Sequence, residues 1–558
     1  MSDSVDDLFK RYGPAYRWLV IFTGMTGVIA MVLSATIANV AVPSVMGAFG
    51  VGQDQAQWMA TAFIATMTAG QLLSAYIIAA FGHRNGFLML IVIFFIGTMI
   101  AVTSTNIMTL ALGRSIQGVC AGAVQPLVLV TVFGVFGPNQ RGTAMGIFGM
   151  AIMLAPGLGP VVGGIAIDHL SWRHIFLIPL PLCLIAFVLG SFFMPGKTDN
   201  IKAPPFDFVS LILLLIGLFA VLSYIANGQR FGWVSNQSLL TLLIGLAMLV
   251  SFVAMQLKAP EPLLDLSLFT NAQFTSAVAV GVVFGAGNFG VSYAVPVFVQ
   301  TVQGFTATKA GFVLVPAGIM LMCMFTFTGK LADRVPNHLM IICGLVTFAT
   351  GALLMMGADV NTPFFSVVIF VMIGRFGQAL ILPAMNASAL RSMPPDKLNR
   401  ASGGINFMRQ FGGALGINGL VAFMEQRTLM HSESLVATQT AGNAASRELL
   451  DNVRHLLNES GVPEAAHSSG ALHYLGQVVQ AQANTLGFQD GRPGTPACWL
   501  VLGRPALGNA APRRNAPLLG HRIRSIGGGH YPITLGLPHS LLFALPPGIR
   551  YASAYAVP

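Results

Sequence analysis

The chain of 558 residues is 54% hydrophobic and only 9% charged, with a mean hydropathy of +0.73. Soluble globular domains carry about 25% charged residues, so this composition excludes a soluble enzyme, a disordered chain and a nucleic-acid-binding domain. The net charge of +10 misleads: seven of the 29 basic residues and none of the 19 acids lie in 491–558, which leaves 22 basic against 19 acidic residues elsewhere.

In chain order, sixteen polar or mixed residues precede the first long apolar run, and no A-x-A site follows it, so the N-terminus is no signal peptide. An apolar run of about 20 residues spans a bilayer, and it must be helical to satisfy its own backbone. Runs bounded by Gly, Pro and charges predict thirteen spans: 18–43, 56–81, 86–104, 107–133, 142–167, 174–194, 208–227, 237–257, 273–299, 310–331, 338–357, 363–389 and 401–424. With the N-terminus in the cytoplasm, thirteen Lys and Arg fall in inside segments: Lys10, Arg11, Arg17, Arg84, Arg141, Lys197, Lys202, Lys258, Lys330, Arg334, Arg391, Lys397 and Arg400. Only Arg173, Arg230 and Lys309 fall in short outside loops, the bias that sets topology.

The expected organisation is a cytoplasmic N-terminus (1–17), a six-helix half (18–194), two inserted helices (208–257), a second half with five recognisable helices (273–424), an external polar loop (425–490) and an aberrant Pro/Arg-rich tail (491–558). The loop reads as helical and amphipathic at 446–457. Four of the five cysteines, Cys120, Cys183, Cys323 and Cys343, sit in apolar runs without metal-ligand spacing and read as small buried hydrophobes.

An internal repeat supports two parallel halves. LGRSIQG (112–118) and IGRFGQA (373–379) share Gly-Arg-x-x-Gln at an offset of 261. FGHRNG (81–86) and GKLADRVPNH (329–338) recur at a similar offset. Parallel repeats with substrate bound near the midplane are one transporter plan.

Three arginines lie inside or near the edges of apolar runs, where a charge costs at least ~2.5–3.5 kcal/mol and seeks a cavity or partner. Arg114, Gln117, Gly118, Ala121 and Gln125 share one helical face; Arg375, Gln378 and Asn386 form a second stripe; Asn406, Arg409, Gln410 and Gly413 form a third. A shared polar cavity is the expectation. In span five, Ala155, Gly159 and Gly163 recur every four residues for close helix contact, and Pro156 and Pro160 favour a bend. No acid lies deep in an apolar run; Asp54, Asp168, Asp207, Asp265 and Asp333 come nearest.

These motifs resemble the major facilitator superfamily, and within it the fourteen-helix drug:proton antiporter (EmrB/QacA-like) group. LGRSIQGVCAGA resembles the arginine-bearing fourth-helix motif, APGLGPVVGG (155–164) the fifth-helix antiporter motif and GKLADR the cytoplasmic turn motif. LSATIANVAVP (33–43), with Thr36, Asn39 and Pro43, looks like the first-helix motif of the group, and DHLSWRHIF (168–176) and the inserted helices also match it. The resemblance covers about residues 15–490. It implies an all-α polytopic fold of two six-helix halves plus two linker helices. It implies that Arg114 takes part in proton coupling, that Pro156, Gly159, Pro160, Gly163 and Gly164 form a hinge, and that Gly329, Asp333 and Arg334 form a cytoplasmic latch. Two positions depart from the pattern: Ser34 stands where the group usually has Asp, and Ala75 and Ala79 interrupt the first turn motif.

The expected function is proton-driven efflux of lipophilic drugs or toxicants across the inner membrane, without a cofactor or metal. The expected partners are small lipophilic substrates, protons and the lipid bilayer, with a periplasmic membrane-fusion adaptor and an outer-membrane channel docking on the external loop. A metabolite or siderophore exporter is the alternative within the superfamily. A membrane-embedded enzyme is disfavoured, since HxxxxD, DDxxD and HExxH are absent. The tail holds ten Pro in 68 residues with no acid and no Lys, as a GC-rich gene reads in a wrong frame. A frameshift near 491 and a non-functional product are therefore also expected readings, with the last helix missing.

Overall fold

Backbone groups in a bilayer find no water, so each apolar run closes on itself as a helix. The computed structural model describes residues 5–136, 155, 157–196, 207–260, 262–391, 393–394, 397–440 and 442–490. Among them the regular structure is helical: α1 (Val5–Tyr12), α2 (Tyr16–Val40), α3 (Val42–Phe49), α4 (Gln53–Ala56), α5 (Trp58–Val102), α6 (Ile107–Val135), α7 (157–169), α8 (Pro179–Phe193), α9 (Phe208–Phe231), α10 (Asn236–Lys258), α11 (Ala272–Thr301), α12 (Ala307–Arg334), α13 (Asn337–Met356), α14 (Phe364–Arg391), α15 (Leu398–Thr438), α16 (Ala444–Glu459) and α17 (Glu464–Gln489).

Local chemistry sets the ends. Asn106, Asp207, Ser235, Asn271 and Thr306 each accept a hydrogen bond from a backbone N–H in the first turn of the helix that follows, which satisfies donors the helix cannot. Gly82, at φ 79°, breaks α5 into two limbs, a conformation a side chain would strain. Span one was expected to run to 43. It ends instead at Val40, and Pro43 sits in the first turn of α3, where its missing N–H costs nothing.

Ten stretches of the described helices are long and apolar enough to cross a membrane. Helix α15, which contains the span read at 401–424, is not among them, and most of the span read at 142–167 lies outside the described residues. The buried face of α15 carries Gln410 and Asn418, which lowers its hydropathy without exposing those groups to lipid. Of the four cysteines read as buried, only Cys120 and Cys183 are. Cys323 and Cys343 are exposed, because the apolar faces that hold them look outward to where lipid would lie.

The first half packs α2, α5, α6, α7 and α8 around Met31, Phe87, Phe94, Val124 and Phe176. The second half is centred on Phe274, Phe284 and Met385, with a further cluster around Phe298 and Val313. Inserted helix α9 sets Leu211, Leu214 and Leu218 against Ala69 of α5 and Phe407 of α15, so it touches both halves. Its base is tied by Gln256, whose Nε2 donates to Ser210 Oγ (2.9 Å) and whose Oε1 accepts from Leu264 N (3.1 Å).

The helix expected to end at 424 continues as α15 to Thr438, and α16 contains the stretch expected to be helical at 446–457. Helix α17 then brings the chain back to the bundle. Phe488 stacks on Phe298 at 4.4 Å, and Gln489 Nε2 donates to Ala358 O at 3.3 Å. Arg427 and His431 grip Asp490 at 2.7 and 2.6 Å. The aberrant tail expected at 491–558 lies outside the described residues.

Burial would raise the Asp490 carboxyl, but hydrogen bonds from His431 and Arg427, and their charges, hold it below the usual carboxylate value. The clasp is therefore complete above that value and weakens as pH falls through the depressed one. We expect Asp490→Asn to raise hydrogen exchange in residues 464–489 at pH 7. Exchange equal to wild type would show that the clasp does not hold α17.

Candidate functional site

Helix α6 carries Arg114 into the first half with no exposed surface. No carboxylate meets it among the described residues; neutral dipoles do. Arg114 Nε donates to Met59 O (3.0 Å), and Nη1 donates to Ser34 Oγ (2.9 Å) and Gln117 Oε1 (2.8 Å). Gln117 Nε2 donates onward to Thr98 Oγ1 (2.8 Å). The guanidinium stands 4.1 Å from the Phe63 ring centre and 5.8 Å from that of Phe176, within reach of cation–π attraction. Buried Nη2 has no hydrogen-bond partner.

The second half repeats this arrangement on α14. Arg375 Nη1 donates to Gln378 Oε1 (2.6 Å) and to Asn288 Oδ1 (2.9 Å), and Nη2 donates to Ser292 Oγ (2.9 Å). Arg-x-x-Gln on one helix, with a serine from the first helix of the same half, therefore recurs as Arg114–Gln117–Ser34 and Arg375–Gln378–Ser292. The two serines lie 258 residues apart. The sequence reading found the arginine motif but missed Ser292 and Asn288. A comparison of α2 with α11 at that offset exposes Ser292.

Arg409 belongs to neither network. Its Nη2 donates to Asn406 Oδ1 (3.2 Å), and its Nε is buried without a partner. The described hydrogen bonds thus hold Arg114, Arg375 and Arg409 in separate networks, one in the first half and two in the second. Gly118 is a packing residue: a Cβ there would stand 2.3 Å from Phe63 O and 2.1 Å from Thr66 Oγ1. Gln125 and Asn386 are half-buried on α6 and α14.

Helix α7 has two glycine faces, of which the sequence reading picked out one. Gly159 and Gly163 face α2 of their own half, where a Cβ would meet Thr36 Oγ1 at 2.3 Å and Ile37 Cγ2 at 2.8 Å. Thr36 Oγ1 also donates to Ala155 O at 3.3 Å. The other face meets α12 across the seam between the halves. A Cβ on Gly164 would stand 2.3 Å from Ala307 O, one on Gly311 2.5 Å from Pro160 O, and one on Gly318 2.2 Å from Gly157 Cα. Pro156 lies outside the described residues.

Among the described residues, the hydrogen bonds across the seam gather at one end of the bundle, the end that carries Asp54. Asp168 accepts from Ala307 N (3.2 Å) and Thr308 N (2.7 Å) at the start of α12. Asn39 Nδ2 donates to Ser292 O (3.5 Å), Gln300 Nε2 to Val40 O (3.0 Å) and Asn418 Nδ2 to Thr61 Oγ1 (2.9 Å). Asp54 N donates to Glu425 Oε1 at 2.7 Å. Gly329 and Arg334 lie at the opposite end of α12, Arg334 exposed; the Asp333 side chain is outside the description.

Two helical halves that meet along a seam, each holding a guanidinium bonded to neutral dipoles, have the plan of a membrane transporter bundle. A family model described as Major Facilitator Superfamily matches residues 24–417, and the chain belongs to that superfamily. It is 28% identical over 471 residues to the multidrug transporter protein MdtP of Bacillus subtilis, covering 82% of this chain and 86% of that one. It is 24% identical over 462 residues to the multidrug export protein EmrB of Haemophilus influenzae, covering 82% and 89%. The fold is similar, with a TM-score of 0.56 and 13% identity, to a bacterial homologue of the human lysosomal transporter Spinster in an inward-facing, occupied conformation, over 89% of this chain and 97% of that one.

Added side chains at the two faces of α7 should act differently. Overpacking costs ~1–3 kcal/mol. We expect Gly318→Leu to reduce cysteine cross-linking across the Asp54 end of the seam with little loss of thermal stability. Gly159→Leu should lower the melting temperature instead, since it strains one half. Equal effects from both variants would refute the two-face assignment.

Proposed function

We propose that this chain exports lipophilic small molecules in exchange for protons, by alternating access between its halves, in the inner membrane with its N-terminus in the cytoplasm. The observation that carries this reading is the seam. It is zipped at the Asp54 end by glycine contacts and hydrogen bonds, while the expected latch residues Gly329 and Arg334 lie at the far end. With the Asp54 end outside, this is an outward-closed state from which rocking about the seam would open the other side. The names of the relatives MdtP and EmrB support drugs as cargo.

Arg114 is the residue proposed to couple protons to that motion, with Gln117 and Ser34 as its partners. Arg375, Gln378 and Asn288 are the counterpart in the second half. Ser34 donates or accepts a hydrogen bond but carries no charge, so the first helix brings no anion to bind a permanent cation. Neutral or weakly acidic lipophilic substrates are therefore favoured over quaternary ammoniums. The helical hairpin of α16 and α17 is the surface proposed to meet a periplasmic adaptor, and through it an outer-membrane channel. Sequencing around codon 491 tests the frameshift reading.

Efflux from cells producing the chain should collapse when an uncoupler removes the proton gradient. Arg114→Ala should abolish efflux at an unchanged membrane level; normal efflux from that variant would refute the coupling role. Resistance dominated by quaternary ammoniums would overturn the substrate reading.

A further inference from the structure

Glu425 is the first residue beyond the span read at 401–424, and it is half-buried where the two halves meet. Its Oε1 accepts the backbone N–H of Asp54, on α4 of the other half, at 2.7 Å. Among the described residues no basic side chain pairs with it. Arg427 and His431, further along α15, are committed to Asp490 at the end of α17. Arg230, at the end of α9, lies over Phe231. What α4 and α11 turn towards Glu425 is Asp54 and Tyr293, and the Tyr293 ring feels the charge of both carboxylates. Tyr293 has no exposed surface, and its hydroxyl faces the side chain of Gln53 on α4 as well as the two carboxylates. Two carboxylates thus share a half-buried seam with a buried hydroxyl and, among the described residues, no cation, a setting in which one proton stabilises the whole group.

We propose that Glu425, with Asp54 and Tyr293, is a proton-binding site on the outer solution, and that a proton bound there holds the outer end of the seam shut. This rests on the reading above of the Asp54 end as the outer end and of protons as the exchanged ion. Burial, then the negative charge of Asp54, pushes the Glu425 carboxyl up to about 7, against the pull of the Asp54 N–H. An open seam returns Glu425 to water, where a glutamate titrates near ~4.3. The raised value belongs to the closed form, so the proton's contribution to closure is full below the ordinary value and is lost as pH rises through about 7. By linkage the closed-to-open ratio should rise roughly 30-fold between pH 8 and pH 5.5. Asp168, which holds the start of α12 across the same seam, behaves oppositely: burial would raise it, but hydrogen bonds from Thr308, Thr306 and Ala307 keep it below the usual value and ionised. A proton from outside would then shut the seam after cargo has left, which is the order that exchange requires.

Spin labels on Gly47→Cys and Leu429→Cys, both exposed and in opposite halves, read the outer seam in the purified full chain with Cys323, Cys343 and Cys498 changed to Ser. The long-distance population should shrink from pH 8 to pH 5.5. Glu425→Gln should be closed at both values, and Asp54→Asn, which removes the neighbouring charge, should move the midpoint to lower pH. A seam that ignores pH, or a wild-type response that survives in Glu425→Gln, overturns the site. The measurement uses neither gradient nor substrate. Efflux that resists an uncoupler would sink the exchange reading while leaving the distance result to judge the site.

Discussion

Backbone-to-backbone contact between α7 and α12 is the constraint on which the assembly depends. Lipid tails are as apolar as leucine, so helices in a bilayer gain little from hiding apolar side chains and associate through close packing and hydrogen bonds. Gly157, Gly164, Gly311 and Gly318 remove the side chains that would hold the two helices apart. Asp168 then reaches the first N–H groups of α12, and Glu425 reaches α4. The contact is made of polar bonds and small-residue packing rather than of a large greasy surface, so it can be made and broken without stranding apolar area.

The buried guanidiniums obey a different economy. A charge taken out of water needs compensation, and a carboxylate beside it would bring a second desolvation cost. Arg114 is compensated by a carbonyl, a hydroxyl, an amide and two aromatic faces. Arg375 uses two amides and a hydroxyl. The Arg114 network ties α2, α5 and α6 together and the Arg375 network ties α11 to α14, so each stiffens its own half. Rigid halves and a seam of small contacts are the mechanical requirements of rocking.

Much of the fold was legible because it is set by local chemistry. Gly82 between two apolar runs and the Gly-Arg-x-x-Gln repeat both act within a few residues. What failed to show is what depends on neighbours distant in the chain. Gly157 and Gly164 are seven apart, as are Gly311 and Gly318, yet nothing in the sequence says that these two pairs meet. The four-residue spacing of Gly159 and Gly163 pointed to a close contact, and only the fold identifies the partner as α2. Glu425 read as the start of a solvated loop, because its neighbour Asp54 is 371 residues away. Ser34 read as a missing acid; the structure shows it as a working partner of Arg114.

Arg114, Arg375 and Arg409 lie inside or near the edges of the apolar runs, where a membrane would hold its voltage. An elementary charge carried across 100 mV changes its energy by about 2.3 kcal/mol. Should rocking carry Arg114, Arg375 and Arg409 each through a tenth of that drop, the open and closed forms would shift by ~0.7 kcal/mol, roughly threefold in population. In an interior-negative cell such a displacement would make the resting balance between the forms depend on membrane potential even with a neutral cargo. Energised and de-energised membranes would then hold the empty protein in different proportions before any ligand has bound.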